Sequence, residues 1–133
     1  MLEYPQVALD FMNRDHAEFV ALREKLLALL AQQNVETKVD AMLAELLEHT
    51  RHHFAEEERQ MQETRFPPYH MHKGEHDRVL ADLAERAAHW QQDHDVASLR
   101  DFTEGALAEW FVNHVNTMDF VTARFIASQP AKI

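Results

Sequence analysis

Ten of the 133 residues are histidine and none is cysteine. Imidazole suits metal ligation, proton transfer or pH sensing, whereas a chain without thiols has no disulfide framework, cysteine-based zinc site or thiol nucleophile. The spacing of the histidines is informative. His52 and Glu56 stand four residues apart, as do His53 and Glu57, and so do His72 and His76. On a helix, the last spacing places two imidazoles on one side of a single ion.

Those residues act together only if the elements carrying them converge. Two glycines and four prolines leave long stretches free of helix breakers, and these stretches are rich in Ala, Leu, Glu, Gln and Arg, all good helix formers. Breaks fall at Pro5, at Asn34 to Thr37, at Pro67 and Pro68, at Asp93 to Asp95 and at Pro130. They predict four helices, at roughly 13–32, 37–64, 70–92 and 96–127. Asn13, Thr37 and Asp95 offer short side-chain acceptors at the expected N-termini. Helices of this length joined by short loops pack as an all-α, antiparallel, up-down four-helix bundle. No internal repeat or linker divides the chain, so residues 1–133 are expected to form one domain.

At about 100° per residue, Val39, Met42, Leu43, Leu46, Leu47, Thr50, Phe54 and Met61 share one face of the second helix. His53 and Glu57 lie on that face, while His52 points nearly opposite and His49 sits at its edge. In the third helix, the stripe Val79, Leu80, Leu83, Ala87 and Trp90 extends backward through His76 and His72. Thr103, Leu107, Trp110, His114, Met118 and Val121 form the corresponding face of the fourth, and His16 continues the line of Phe19, Val20, Arg23, Leu26, Leu27 and Leu30 in the first. Every helix thus brings a histidine inward. His70, His89 and His94 lack this placement and belong to solvent.

Burying five imidazoles and a carboxylate without a shared partner costs several kcal/mol of desolvation, and a metal cluster removes that conflict. Five nitrogens exceed what one tetrahedral zinc uses, so two ions are implied. Mixed nitrogen and oxygen ligation suits iron, bridged by a carboxylate. No Glu in the chain is followed by His three residues on, which disfavours the ferritin-like di-iron proteins.

The order of these pieces resembles the hemerythrin family, specifically its single-domain bacterial members. The family has an isolated His, then His-x-x-x-Glu, His-x-x-x-His and His-x-x-x-x-Asp, one element per helix. The sequence supplies His16, His53-Phe-Ala-Glu-Glu57, His72-Lys-Gly-Glu-His76 and His114-Val-Asn-Thr-Met-Asp119. The resemblance implies two iron ions with an oxo or hydroxo bridge: one held by His72, His76 and His114, the other by His16 and His53, with Glu57 and Asp119 bridging. It also implies that dioxygen binds reversibly at the two-histidine iron, for storage, delivery or scavenging, and that Phe54, Trp110 and Phe111 line the cofactor pocket. The chain departs from the family in three places. Tyr4 is the only aromatic where an N-terminal Trp is usual, Val79 stands where oxygen carriers commonly have Phe, and Phe111 occupies a commonly aliphatic position. The altered pocket keeps open a di-iron enzyme acting on peroxide or nitric oxide. A sensor module is the other alternative, although no room remains for an output domain.

Asp119 poses a geometric problem. Five residues after His114 lies about 140° around a regular helix, so both can face one cluster only if a π-type turn separates them.

The formal net charge of -10 argues against nucleic acid, which requires a clustered basic face. The first twelve residues carry no basic start followed by an apolar run, and no run of about 18 apolar residues occurs. The expectation is a cytoplasmic protein without a membrane span.

Overall fold

The computed structural model describes residues 2–130. Three long helices, α1 (Asp10–Leu30), α2 (Glu36–Glu63) and α3 (Tyr69–Asp93), precede a continuous helical stretch over 96–127, here α4. That stretch is α-helical over Val96–Asp101, Leu107–His114 and Phe120–Ala127, with π-helical turns at Phe102–Ala106 and Val115–Asp119 between them. Consecutive helices pack side by side, and α4 closes against α1 and α3, giving the antiparallel four-helix bundle. Among the described residues there is no strand, and no helix is long and apolar enough to cross a membrane.

Composition and local chemistry explain where the helices begin and end. Asp95 caps α4 by accepting the Ser98 amide at 3.1 Å, satisfying one of the helix's unpaired first donors. The other two expected caps are not used. Asn13 lies inside α1, where its side chain both accepts from the Val7 amide (2.8 Å) and donates to the Val7 carbonyl (2.9 Å), clamping the N-terminal segment onto the helix. Thr37 is the second residue of α2, with Val35 at the cap position. His94 ends α3 in the left-handed region at φ 51°, a conformation that costs most non-glycine residues some strain but ends a helix cleanly.

Along α2 the buried face changes character. Val39, Leu43 and Leu46 pack with Leu26, Leu30, Leu83 and Trp90 in the main apolar core. Met61 packs at the opposite end with Phe66 and Ile126. Between them the same face buries His53 and Glu57. The bundle thus seals a polar layer between two apolar ones, and Arg23, also buried, donates to the Thr103 carbonyl in the first π turn at 3.0 Å.

The second π turn corrects the expected face of α4. A regular helix would turn Met118 and Val121 inward with His114, yet Met118 is only half-buried and Val121 is 55% exposed. One extra residue per turn rotates everything beyond it, so Val115, Asp119, Thr122, Ala123 and Ile126 form the buried face instead.

Candidate metal centre

His16, His53, Glu57, His72, His76, His114 and Asp119 are all buried, and their side chains converge from all four helices. They form two groups of mutually close ligand atoms, each within 4.8 Å: Glu57, His72, His76, His114 and Asp119 in one, and His16, His53, Glu57 and Asp119 in the other. The carboxylates belong to both. Glu57 Oε1 lies 3.4 Å from both His72 Nε2 and His76 Nε2, while its Oε2 faces His53 Nε2. Asp119 Oδ1 lies 3.1 Å from His114 Nε2 and 3.3 Å from His72 Nε2, and its Oδ2 lies 2.9 Å from His16 Nε2. Each carboxylate therefore presents one oxygen to each histidine group. Asp119 can do so because the π turn at Val115–Asp119 brings it back beside His114.

Side chains behind the imidazoles fix their direction. His53 Nδ1 is 2.8 Å from Asp15 Oδ2, His76 Nδ1 is 2.9 Å from Glu58 Oε2, and His72 Nδ1 is 2.8 Å from Thr122 Oγ1. A ring whose Nδ1–H donates outward turns its Nε2 inward, the arrangement that orients and strengthens a ligating histidine. Aromatic faces complete the support. Phe54 stacks on His76 with centroids 3.8 Å apart, and Trp110 stacks on His114 at 4.9 Å while its indole N–H donates to Glu75 at 3.0 Å. Phe111 meets His16 edge-on at 5.7 Å. Phe54, Trp110 and Phe111 also line a cavity of about 20 Å³ that reaches His16, His53 and Asp119, room for about one water-sized molecule.

Within the cluster, carboxylates and imidazoles shift one another's ionisation. Burial opposes a charge on His53, but the Glu57 carboxylate and the Asp15 hydrogen bond overcome it and raise the pKa to about 10. Burial and the nearby Asp119 charge push Glu57 up, yet His53 and His76 bring it down to about 2. Asp119 is likewise held well below its usual range, burial being outweighed by His114, His16 and His72. The proton held on His53 thus offsets part of the carboxylate charge. Even so, His53 Nε2, His76 Nε2, both Glu57 oxygens and Asp119 Oδ1 are buried without a well-formed hydrogen bond, and leaving such groups unpaired costs free energy. A cation among them would satisfy all of these at once, so the donor set fits a metal.

The structure brings the seven inward residues together and sets Phe54, Trp110 and Phe111 beside them. His52, His70, His89 and His94 are exposed, and His49 is half-buried. Sequence reasoning missed Asp15, Glu58 and Thr122, whose partners lie on other helices. It also missed the part played by Tyr4, which packs edge-on against Phe111 at 5.2 Å and approaches His16 at 6.3 Å.

A four-helix bundle with an inward His and carboxylate cluster spanning all four helices defines a class of metal-binding helical proteins. The Hemerythrin HHE cation binding domain family matches residues 7–126, and the chain belongs to the hemerythrin family. It is 38% identical over 121 residues to a bacteriohemerythrin of Ralstonia nicotianae, covering 88% of this chain and 80% of that protein. It is 32% identical over 114 residues to a bacteriohemerythrin of Aquifex aeolicus, covering 86% of each. Its fold is similar to that of a wild-type hemerythrin crystal structure, with a TM-score of 0.80 at 22% identity over 92% of both chains.

Proposed function

We propose that the chain binds dioxygen reversibly at a pair of iron ions held in the buried cluster. The observation that carries this reading is the sharing of Glu57 and Asp119 between two histidine groups. One ion would take His72, His76 and His114, and the other His16 and His53, with the two carboxylates bridging. Three nitrogens would serve one ion and only two the other, so a further ligand would find room on the His16 and His53 side, where the small cavity lies. Bound there, the two irons would supply the electrons for reversible dioxygen binding, chemistry that belongs to the metals.

The chain's own residues hold the site and keep it dry. Asp15, Thr122 and Glu58 hold the Nδ1 protons of His53, His72 and His76, so that each Nε2 lone pair faces inward. Phe111 of α4, stacked on Phe19 of α1 at 4.7 Å, lines the cavity with it, and Tyr4 of the N-terminal segment packs against Phe111 from outside. By excluding water and small anions, this aromatic cover favours storage or delivery over consumption of oxygen.

The test is to load the metal-free protein with iron without air, add oxygen and then remove it. A visible band that forms, persists and bleaches on deoxygenation supports oxygen carriage. Rapid, irreversible oxidation, with turnover of peroxide or nitric oxide, supports an enzyme instead.

A further inference from the structure

A metal site sealed between two apolar layers requires a way in. A cavity of about 450 Å³ opens at the surface between α1 and α2, lined by Arg14, Asp15, Glu18, His49, His53 and Glu56 among others. Asp15, His49 and His53 also line the small inner cavity beside the cluster. These three side chains are the wall between solvent and the metal centre.

The solvent side of that wall carries ligand atoms. Asp15, Glu18 and His49 each present one within 4.8 Å of the others, and His49 Nε2 lies 2.9 Å from Glu18 Oε2. The other His49 nitrogen, Nδ1, is buried with no hydrogen-bond partner. Behind them, His53 has a side chain only 9% exposed, and its Nε2 also lacks a well-formed hydrogen bond. Ligand atoms thus continue from the surface group through Asp15 and His53, whose Nδ1 meets Asp15 and whose Nε2 faces Glu57, into the centre. Besides His53, bonded to Asp15 from the inner side at 2.8 Å, the cation beside this group is Arg14, 3.6 Å from Asp15 and 4.0 Å from Glu18; its side chain is 68% exposed. Glu56 is taken by Arg59 at 2.6 Å, so it does not compete for an incoming ion. The groove between α3 and α4 that reaches His72 is lined by Phe66, Pro68, Met71, Met118 and Val121. It offers no carboxylate to replace a metal ion's water.

We propose that Asp15, Glu18 and His49 form a capture site at which a hydrated divalent cation loses water before passing His49 into the buried cluster. The proposal rests on the reading of that cluster as a metal site. Glu18 and His49 bind the ion first; its ligands are then exchanged one at a time, with Asp15 in reach of both sides. His49 serves entry only and is no part of the final ligand set.

The experiment follows uptake of ferrous ion by the metal-free full-length chain, without air, by rapid mixing and quenching with a colorimetric chelator. The double variant Glu18→Gln with His49→Ala should load about tenfold more slowly or worse, the scale on which charge-lined clefts raise association rates, yet reach the same final metal content. Glu18→Gln alone should fall between, which guards against a folding defect in the double variant. Asp82→Asn, which removes an exposed charge paired with Arg78 on α3, should load as the unaltered chain does. Equal uptake rates in the double variant and the unaltered chain would overturn the proposal, as would equal slowing by Asp82→Asn. Failure of the unaltered chain to take up metal at all would remove the reading of the cluster and this proposal with it.

Discussion

Replacing Phe111 by alanine separates packing from access. Phe111 is 3% exposed, stacks on Phe19 and meets His16 and Tyr4 edge-on. Truncating a buried aromatic to alanine costs about 3 to 5 kcal/mol, because the cavity only partly collapses. Unfolding entropy is about 2.1 cal/mol/K per residue, or about 0.28 kcal/mol/K for 133 residues. A loss of about 4 kcal/mol therefore lowers Tm by about 14 °C. The new void joins the inner cavity of about 20 Å³, which then holds more than one water. Circular dichroism melts measure the first effect. Autoxidation of the oxygenated form and azide association with the oxidised form measure the second, and both should be several-fold faster while metal content stays unchanged. A variant that loses the expected stability but keeps both rates would show that Phe111 packs the core and does not guard the site. An unchanged Tm would refute the packing argument itself.

Asp15→Ala and Thr122→Val each remove the acceptor behind one inward imidazole, and each should weaken metal binding about 10- to 100-fold, read by competition with a chelator; affinity unchanged in both would refute the orienting role. His53, raised to about 10 without metal, is protonated at neutral pH and must lose a proton to ligate. Metal uptake should therefore release protons and tighten as pH rises towards 10, measured by titration calorimetry in buffers of differing ionisation enthalpy; no buffer dependence would contradict it. In the metal-free chain the raised His53 stabilises fully below its unfolded value of about 6.5, an effect lost as pH rises through 10. The depressed Glu57 stabilises fully above its ordinary value of 4.5, an effect lost as pH falls through about 2. The gain in Tm on adding metal should accordingly be larger at pH 8 than at pH 5.5, and equal gains would refute the linkage.

The inward residues were legible because helical periodicity is a local property. His53 and Glu57 fall on the apolar stripe of α2, and His72 and His76 on that of α3, whatever the helices pack against. Asp119 was legible only through a contradiction, since its place five residues after His114 fits one face only with the π turn that the structure has. The same turn carries Met118 and Val121 off the buried face, because every residue beyond an inserted one rotates with it. The π turn at Phe102–Ala106 left no such trace, because no paired functional residue spans it. Asp15, Glu58 and Thr122 escaped for a different reason. Their bonds to His53, His76 and His72 cross between helices, and sequence spacing says nothing about which outward edges meet. Asn13 shows the limit of capping preferences, as its side chain does better clamping Val7 within the bundle than starting α1.

Under the proposed function the seven buried side chains hold two metal ions, and the outer histidines hold none of them at equilibrium. Native mass spectrometry of the metal-free chain titrated with ferrous ion tests it directly. Two irons per chain should bind, and two should still bind after long incubation when His49, His52, His70, His89 and His94 are all replaced. Paired substitution of Glu57 and Asp119 by alanine should abolish that stoichiometry. One iron per chain, or loss of iron with the outer five histidines, would contradict the account.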